Sequence, residues 1–205
     1  MASYVEIHPV DPQPRLVEKV VERLRQGDVA AIPTDSGYAL VSALDNKEGL
    51  DRIRTLRQVG DKHHFTMLCR NFAQLGQFVI VDNPDFRLVK SLTPGPFTFI
   101  LKGTKEVPRR TMHAKKHTVG VRIPDHKITQ ALVAEMGEPL LASSLILPGH
   151  EEPMTEGWEV NDELGGVVDI VVEGPCGEDG PTTVVNLVKR KISREGAGDT
   201  SGINL

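Results

Sequence analysis

The sequence predicts an α/β fold with a largely buried mixed sheet. Short apolar runs that end at proline or glycine are typical of buried strands. Stretches with helical apolar spacing lie between these runs, and the connections are short. A length of 205 residues, 39% of them hydrophobic, suits one domain comprising residues 1–205 with a substantial core.

The elements of the first half are predicted from apolar spacing and from the residues that stop each run. Pro14 opens a helix whose apolar residues recur at helical spacing until Gly27 ends it. Asn83-Pro84-Asp85 starts another helix, and residues 93–96 break the chain before the next strand. The predicted order is an extended segment at 4–8, a helix that opens at Pro14 and ends at Gly27, strands at 28–33 and 38–44, a helix near 47–57, a strand at 65–69, a helix that starts at Asn83 and a strand at 97–101.

The second half continues in the same style without repeating the sequence. A helix that ends at Gly137 separates two apolar runs, and residues 148–166 read as a partly helical surface excursion. The predicted elements are a strand at 118–123, a helix at 126–136 and strands at 139–144, 167–172 and 183–187.

The charge of the chain is unevenly distributed along the sequence. The net charge is −4, yet residues 52–127 hold 15 Lys and Arg against 5 Asp and Glu, whereas residues 128–205 hold 4 against 14. A basic middle in an acidic protein indicates a surface that faces anions, such as nucleotide phosphates or an RNA backbone. The alternative is that these charges interleave once the chain folds.

Several functional classes are disfavoured by composition. Cys69 and Cys176 lie far apart, so neither a disulfide scaffold nor a cysteine zinc site is expected. No apolar run approaches the roughly 18 residues that span a bilayer, and we expect a cytoplasmic protein without membrane contact. His113 and His117 have helical ligand spacing, but two lysines lie between them, and we predict no protein-held metal.

The stretch Pro33–Leu40 is the clearest candidate ligand loop. It follows a buried apolar run and carries two hydroxyls, a carboxylate and a glycine in four positions, Thr34 to Gly37. Small polar groups at a strand end can hold a small polar ligand against a sheet. The hydroxyl pairs Ser143-Ser144 and Thr182-Thr183 also lie beside strands, although each pair alone is more often turn chemistry.

Arg122 ends an apolar strand and must find a partner, because an unpaired buried guanidinium would be costly. One interpretation is a structural ion pair with one of the many carboxylates. The other is an anion-binding role in the cleft that the strand-end hydroxyls would build, since arginine offers a bidentate fork to carboxylates and phosphates.

Taken together, these residues resemble the YrdC family over nearly the whole chain. The resemblance is closest to its YciO branch, through Thr34–Leu40, His63–Leu68 and Phe97–Arg110. The segments that carry the resemblance, in family order, are Pro33–Tyr38, Arg57, Thr93–Thr98, Val121-Arg122, Ser143-Ser144, Pro181–Val185 and Arg194–Gly196. The resemblance implies a twisted, open α/β sheet flanked by helices, with a basic concave surface. The best-known members are threonylcarbamoyl-adenylate synthases, which combine L-threonine, bicarbonate and ATP, release pyrophosphate and serve tRNA modification.

The resemblance also implies a set of site residues and ligands. ATP with Mg²⁺ is the expected substrate pair, together with a small amino acid. The cations expected to take part in catalysis are Arg57, Lys62 and Arg122. The residues expected to bind substrate are Thr34, Asp35, His63, Ser143, Ser144, Thr182, Thr183 and Arg194.

Two departures from the synthase pattern predict weakened or redirected nucleotide handling. The synthases carry Lys-x-Arg where this chain has Thr55-Leu56-Arg57, so the lysine is missing. Their Ser-x-Asn is here Ser144-Leu145-Ile146, which replaces an amide with an apolar side chain. The first hypothesis is therefore an enzyme with weak or altered threonylcarbamoyl-adenylate synthesis.

The second hypothesis is a protein without catalysis that binds double-stranded RNA or tRNA, as family members have been described to do. It depends on the basic segment, defined as residues 102–116, in which only Glu106 is acidic. Its cations are Lys102, Lys105, Arg109, Arg110, Lys115 and Lys116. A third interpretation is that this segment is a mobile solvated loop over the cleft.

Overall fold

One mixed sheet of eleven strands runs through the molecule in the computed structural model, which describes all 205 residues. The strands are β1 (Ser3–Glu6), β2 (Ala30–Thr34), β3 (Gly37–Ala43), β4 (Thr66–Leu68), β5 (Val79–Ile80), β6 (Phe97–Gly103), β7 (Thr118–Arg122), β8 (Leu140–Ser144), β9 (Ile170–Glu173), β10 (Thr183–Asn186) and β11 (Lys191–Arg194). The helices are α1 (Pro14–Arg25), α2 (Lys47–Arg57), α3 (Phe72–Phe78), α4 (Asn83–Leu92), α5 (Lys127–Met136) and α6 (Gly157–Leu164).

The strand order is β1-β9-β2-β3-β8-β4-β7-β6-β10-β11, and β5 pairs with β6. The sheet contains parallel pairs, such as β4 with β7 and β6 with β10, and antiparallel pairs, such as β3 with β8 and β6 with β7. The first and last strands in this order have one neighbour each, so the sheet is open rather than closed into a barrel. The predicted open mixed sheet flanked by helices is thereby confirmed.

Successive side chains of a strand point to opposite faces of the sheet, so they pack in different apolar layers. Ala30 and Ile32 of β2 pack with α1 and α5, whereas Ala31 between them packs in the layer that contains residues of α2 and α6. A third apolar cluster joins β6 and β7 to α3 and α4. Every residue of the central strands β2 and β3 is buried, because both faces of the sheet are covered there.

The helices begin and end where local chemistry allows. Pro14 occupies the first turn of α1, where its missing N–H costs nothing. Asn46 and Asp82 cap α2 and α4 by accepting backbone N–H groups with their side chains. Gly137 ends α5 in the left-handed conformation, at φ +76°.

The structure adds elements that the sequence did not predict. Helix α3 is too short to show an apolar stripe, and β11 is a mostly exposed edge strand without alternating apolar residues. Helix α6 lies within the excursion at 148–166, where part of the segment was expected to be helical. The short strand β5 pairs only with the end of β6, around Lys102 and Gly103.

Candidate functional site

A cavity of about 470 Å³ lies where the pairing between strands β4 and β8 ends. Strand β4 pairs with β8 only as far as Ala142, so Ser143 and Ser144 extend beyond its end. Ligand sites in open α/β sheets form at such places. The lining residues are Ala39, Arg57, Lys62, His63, His64, Thr66, Leu68, Thr98, Ile100, Gly120, Arg122, Ala142, Ser143, Ser144, Ile146, Thr182, Val184, Ser193 and Arg194.

Small side chains keep the floor of this cavity open. Thr66 of β4, Thr98 of β6 and Gly120 of β7 lie next to one another in the sheet. A Cβ on Gly120 would lie 3.1 Å from Thr66 Oγ1 and 3.3 Å from Thr98 Cγ2. The absence of a side chain at Gly120 therefore preserves the space between the two threonines.

One wall of the cavity is a hydrogen-bonded cluster of Arg57, Ser143 and His63. The end of α2 carries Arg57, whose Nη1 donates to Ser143 Oγ at 2.7 Å and whose Nε donates to the carbonyl of Ile146 at 3.3 Å. His63 Nε2 lies 3.0 Å from Ser143 Oγ and 3.3 Å from Arg57 Nη1. Helix α2, the loop before β4 and the end of β8 thus meet at one hydroxyl.

Another part of the lining is built around Arg194 of β11. Its Nε donates to the carbonyl of Thr182 at 2.9 Å, and its Nη2 donates to Thr182 Oγ1 at 3.0 Å. The hydroxyl of Thr182 also lies 2.8 Å from Thr98 Oγ1. This bidentate contact orients the Arg194 guanidinium beside the cavity.

Arg122 reaches the cavity from β7 but is held by an ion pair. Its Nη2 donates to Asp35, its Nη1 donates to Ser36 Oγ at 2.8 Å, and its side chain is 5% exposed. Its Nε is buried without a hydrogen-bond partner. The structural ion pair considered from the sequence therefore forms, while Arg122 also lines the cavity.

The electrostatics of the cavity favour an anion. Burial lowers the pKa of Arg57, and the charge of Arg194 lowers it further. Burial likewise lowers the pKa of Arg194, with the charge of Arg122 as the next cause. No carboxylate lines the cavity; Arg122 forms an ion pair with Asp35, and the charge of Glu152 partly offsets the lowering of the pKa of Arg194. A bound anion would relieve the repulsion among the three guanidinium groups.

Two histidines at the cavity are held neutral by their surroundings. Burial, then the charges of Arg57, His64 and Arg54, lowers the pKa of His63 to about 4. Burial, then His113 and Lys116, lowers the pKa of His64. The His64 ring stacks on His113, with centroids 5.5 Å apart. His113 belongs to the basic segment, so this stack brings one end of that segment to the cavity.

The predicted site residues separate into two groups in the structure. Those that line the cavity are Arg57, Lys62, His63, Arg122, Ser143, Ser144, Thr182 and Arg194, and Lys62 is exposed among them. Thr34, Asp35 and Thr183 are not among its lining residues. The cleft predicted from strand-end hydroxyls is therefore built from some of those hydroxyls and not from others.

The three residues outside the lining are used by the protein itself. Thr34 Oγ1 donates to the carbonyl of Gly37 at 2.7 Å, which stabilises the β2–β3 turn. Gly37 adopts φ +80° there, and any Cβ would lie 2.6 Å from Pro153. Asp35 pairs with Arg122, and Thr183 Oγ1 donates to the carbonyl of Gly198 at 2.7 Å. A hydroxyl beside a strand satisfies a nearby backbone group more often than a ligand.

The two departures from the synthase pattern lie in different surroundings. Ile146 lines the cavity, so an apolar side chain occupies the position of the synthase amide. Thr55 is exposed, lies outside the lining, and donates from Oγ1 to the carbonyl of Asp51 at 3.0 Å.

The cations of the basic segment are all exposed in the connection between β6 and β7 and at its edges. Arg109 and Arg110 form part of a single 3₁₀ turn, and Arg110 Nη1 lies 3.4 Å from the carbonyl of Asp45. None of these cations lines the cavity. The charge of Lys116 contributes to lowering the pKa of His64, which lines the cavity.

Sequence reasoning missed several lining residues. Thr66 and Gly120 are single small residues in apolar strands, and no local motif marks them. Ser193 lies on the unpredicted strand β11, next to Arg194. His64 lies within His63–Leu68, which resembles the YciO branch, whereas adjacency to a predicted site residue was the only available signal for Ser193.

Other features of the molecule bear on what it can bind. No group of three or more His, Cys, Asp or Glu side chains is placed to hold a metal ion. Measured by length and hydropathy, no helix qualifies as a membrane span. A second hollow of about 280 Å³ lies near Arg70, Lys90 and Pro94.

Known proteins are similar to this chain in both sequence and fold. A family model for Sua5, YciO and YrdC, described as telomere recombination, matches residues 22–196. The YciO protein of Escherichia coli K12 is 45% identical over 201 residues, covering 97% of this chain and 98% of that protein. A threonylcarbamoyl-AMP synthase of Vibrio vulnificus is 27% identical over 184 residues, covering 88% and 98%.

Solved structures agree with these sequence relationships. The crystal structure of E. coli YciO superposes with a TM-score of 0.94 and covers 98% of each chain at 45% identity. Sua5 of P. abyssi, solved with L-threonine, has a TM-score of 0.84 at 22% identity and covers 96% of this chain and 57% of its own. At that identity the second comparison shows a shared fold. The family match and the YciO relationship together establish that this chain belongs to the Sua5/YciO/YrdC family.

Proposed function

We propose that the cavity binds ATP with Mg²⁺ together with a small amino acid, and that the protein catalyses a weak or altered form of threonylcarbamoyl-adenylate synthesis. The observation that carries the proposal is the convergence of Arg57, Arg122 and Arg194 on one cavity whose lining contains no carboxylate. Adenylyl transfer needs phosphates neutralised and a carboxylate held, and electrostatic stabilisation supplies most of its catalysis.

The residues present suit those ligands. Arg57 and Arg194 have donors that reach neutral hydroxyls and carbonyls, and an anion would compete well for them. Thr66, Thr98 and Ser144 add neutral hydroxyls to the same lining. Mg²⁺ would enter with the nucleotide, since it is held mainly by substrate phosphates in such sites.

The distant relationship to a threonylcarbamoyl-AMP synthase supports the reaction class, and L-threonine bound to Sua5 supports the amino acid. The apolar Ile146 in the lining supports an altered rather than a full activity. An amide at that position could donate and accept hydrogen bonds, which an isoleucine side chain does not.

Calorimetric titration of Mg·ATP, with and without L-threonine, tests the proposal directly, followed by an assay of pyrophosphate release. Release that requires both threonine and bicarbonate is the expected result. Arg57→Gln should weaken ligand binding about 10- to 100-fold, because a charge-assisted hydrogen bond contributes about 1.5–3 kcal/mol.

The matched control is Arg87→Gln, since Arg87 is exposed on α4 and has only a 3.5 Å contact to the carbonyl of Asn83. That variant should bind as tightly as the wild type. Absence of ATP binding, or no pyrophosphate with any amino acid at high protein concentration, would contradict the proposal.

We propose RNA binding by the basic segment as the second candidate. Its support is the exposure of six cations on one connection, with Glu106 as the only acid among them. Binding should be driven by phosphate contacts and should weaken steeply with salt. Arg109→Ala with Arg110→Ala should reduce the slope of log affinity against log salt by up to about 2, whereas Arg15→Ala with Lys19→Ala on α1 should leave it unchanged.

A further inference from the structure

Ser143 and His63 form a hydroxyl–imidazole dyad at the wall of the cavity. Ser143 Oγ lies 3.0 Å from His63 Nε2, within the range of a hydrogen bond. Both residues line the cavity, where Ser143 is 4% exposed and His63 is half-buried. A serine next to a base is the arrangement that activates a hydroxyl for nucleophilic attack.

Arg57 sets the direction of the hydrogen bond in this dyad. A guanidinium only donates, and its Nη1 lies 2.7 Å from Ser143 Oγ and 3.3 Å from His63 Nε2. A proton on Nε2 would therefore face a second N–H group. The favoured arrangement has an unprotonated Nε2 that accepts the Ser143 hydroxyl proton, while Arg57 donates to the serine oxygen.

The dyad is held by rigid elements. Ser143 lies in β8 opposite Leu40 of β3. The residues two positions before and after it, Leu141 and Leu145, are buried. The His63 imidazole packs edge-on against the Phe65 ring, with centroids 5.2 Å apart and planes at 86°. A nucleophile and base fixed in this way retain their mutual geometry when a ligand enters.

We infer that Ser143 is a nucleophile that takes acyl groups from acyl phosphates, with His63 as its base, and that the protein hydrolyses such compounds. The substrate class follows from the neighbouring charges. Arg57 donates into the dyad and Arg194 lines the same cavity, so a phosphate leaving group held by Arg57 would lie beside the serine. The activity needs no nucleotide and is independent of the function proposed above.

The reaction would proceed in two balanced steps. In the first, Ser143 Oγ bonds to the acyl carbon, its proton moves to His63 Nε2, and the bond from carbon to the phosphate oxygen breaks. Phosphate leaves with the electron pair and takes the proton from His63. In the second, water adds to the acyl-serine carbon and gives a proton to His63. That proton returns to Ser143 as the ester bond breaks and the carboxylic acid leaves.

The charge environment makes the base depend on an anionic substrate. Burial and the charge of Arg57 are the main causes that lower the pKa of His63. A phosphate held by Arg57 would offset that positive charge and raise the basicity of His63. An uncharged acyl donor would not, so acyl phosphates should react much faster than neutral esters of similar intrinsic reactivity.

The test is hydrolysis of acetyl phosphate by the full chain without nucleotide, followed as phosphate release above the spontaneous rate. Ser143→Ala and His63→Gln should each lower the catalysed rate by about 100-fold or more, the usual contribution of a positioned base. Ser91→Ala should leave it unchanged, because Ser91 lies on α4 and bonds only to the carbonyl of Leu88. Acid quenching and peptide mass mapping should place an acetyl group on Ser143.

Ser143→Cys gives a second readout that does not depend on turnover. Iodoacetamide should alkylate the introduced thiol, and adding His63→Gln should slow that reaction. Phosphate release at the spontaneous rate, full activity in Ser143→Ala, or alkylation unaffected by His63→Gln would overturn the inference.

Discussion

Arg122 of β7 and Asp35 of the β2–β3 turn form an ion pair whose side chains are only 5% and 11% exposed. The second oxygen of Asp35 accepts the backbone N–H of Asp125 at 2.9 Å. This pair joins the candidate ligand loop at Pro33–Leu40 to the strand that carries a cavity cation. It explains how a buried guanidinium is tolerated there and why Asp35 is not available to a ligand.

Breaking this pair should be costly. Asp35→Asn is expected to lower the free energy of unfolding by about 3–5 kcal/mol, because it leaves the Arg122 charge buried without a counter-ion. Urea unfolding measures the change. The control is Asp28→Asn, which breaks an ion pair with Arg23 whose side chains are 27% and 30% exposed, and should cost about 1 kcal/mol or less. Similar losses in both variants would contradict the structural role of the buried pair.

Filling the cavity floor should block ligand binding while the fold persists. Gly120→Ala places a methyl group 3.1 Å from Thr66 Oγ1 and 3.3 Å from Thr98 Cγ2, so we expect at least a tenfold loss of ligand affinity. Such overpacking costs about 1–3 kcal/mol of stability. Gly76→Ala in α3 meets nothing within 4 Å and should bind normally. Calorimetry and thermal unfolding distinguish the two effects, and unchanged binding in Gly120→Ala would place the ligand elsewhere.

Restoring the amide at position 146 should strengthen nucleotide binding. Ile146→Asn adds a donor and an acceptor to the lining, and a new hydrogen bond contributes about 0.5–1.5 kcal/mol, or about 2- to 10-fold in affinity. Ile146→Val keeps the position apolar and serves as the control. Titration with Mg·ATP measures both. An affinity that does not rise in Ile146→Asn would indicate that the bound nucleotide does not reach this position.

Stability should fall in mild acid because of His63. Its pKa is about 4 in the folded protein against an ordinary value of 6.5, so between these values the unfolded chain binds more protons. The free energy of unfolding is therefore undiminished by His63 above pH 6.5, and it decreases as the pH falls from 6.5 toward 4. His64 acts in the same direction, since burial also lowers its pKa.

The measurement is the urea midpoint between pH 7 and pH 5. The decrease should be smaller in His63→Gln than in the wild type, whereas His150→Gln, at an exposed position, should show the wild-type decrease. An equal decrease in all three proteins would mean that His63 is readily protonated in the folded state.

Much of the architecture could be predicted because local patterns and packing agree. The run at 118–123 and the helix ending at Gly137 appear as β7 and α5, with bounds shifted by a residue or two. Strand β11 was not predicted, because its pairing with β10 comes from a neighbour in space and its side chains are mostly exposed. Because β11 was not predicted, Ser193 was not identified as a candidate site residue and Arg194 was not assigned to a strand.

The sequence by itself determined the fold class, the family and the cations Arg57, Arg122 and Arg194 of the cavity. Tertiary structure alone decided which hydroxyls line the cavity. The hydroxyls of Thr34 and Thr183 donate hydrogen bonds to the carbonyls of Gly37 and Gly198. The physical reason is that a hydroxyl bonds to whichever donor or acceptor lies within about 3 Å, and at these positions that partner is set by turns and strand ends that only the folded chain brings together.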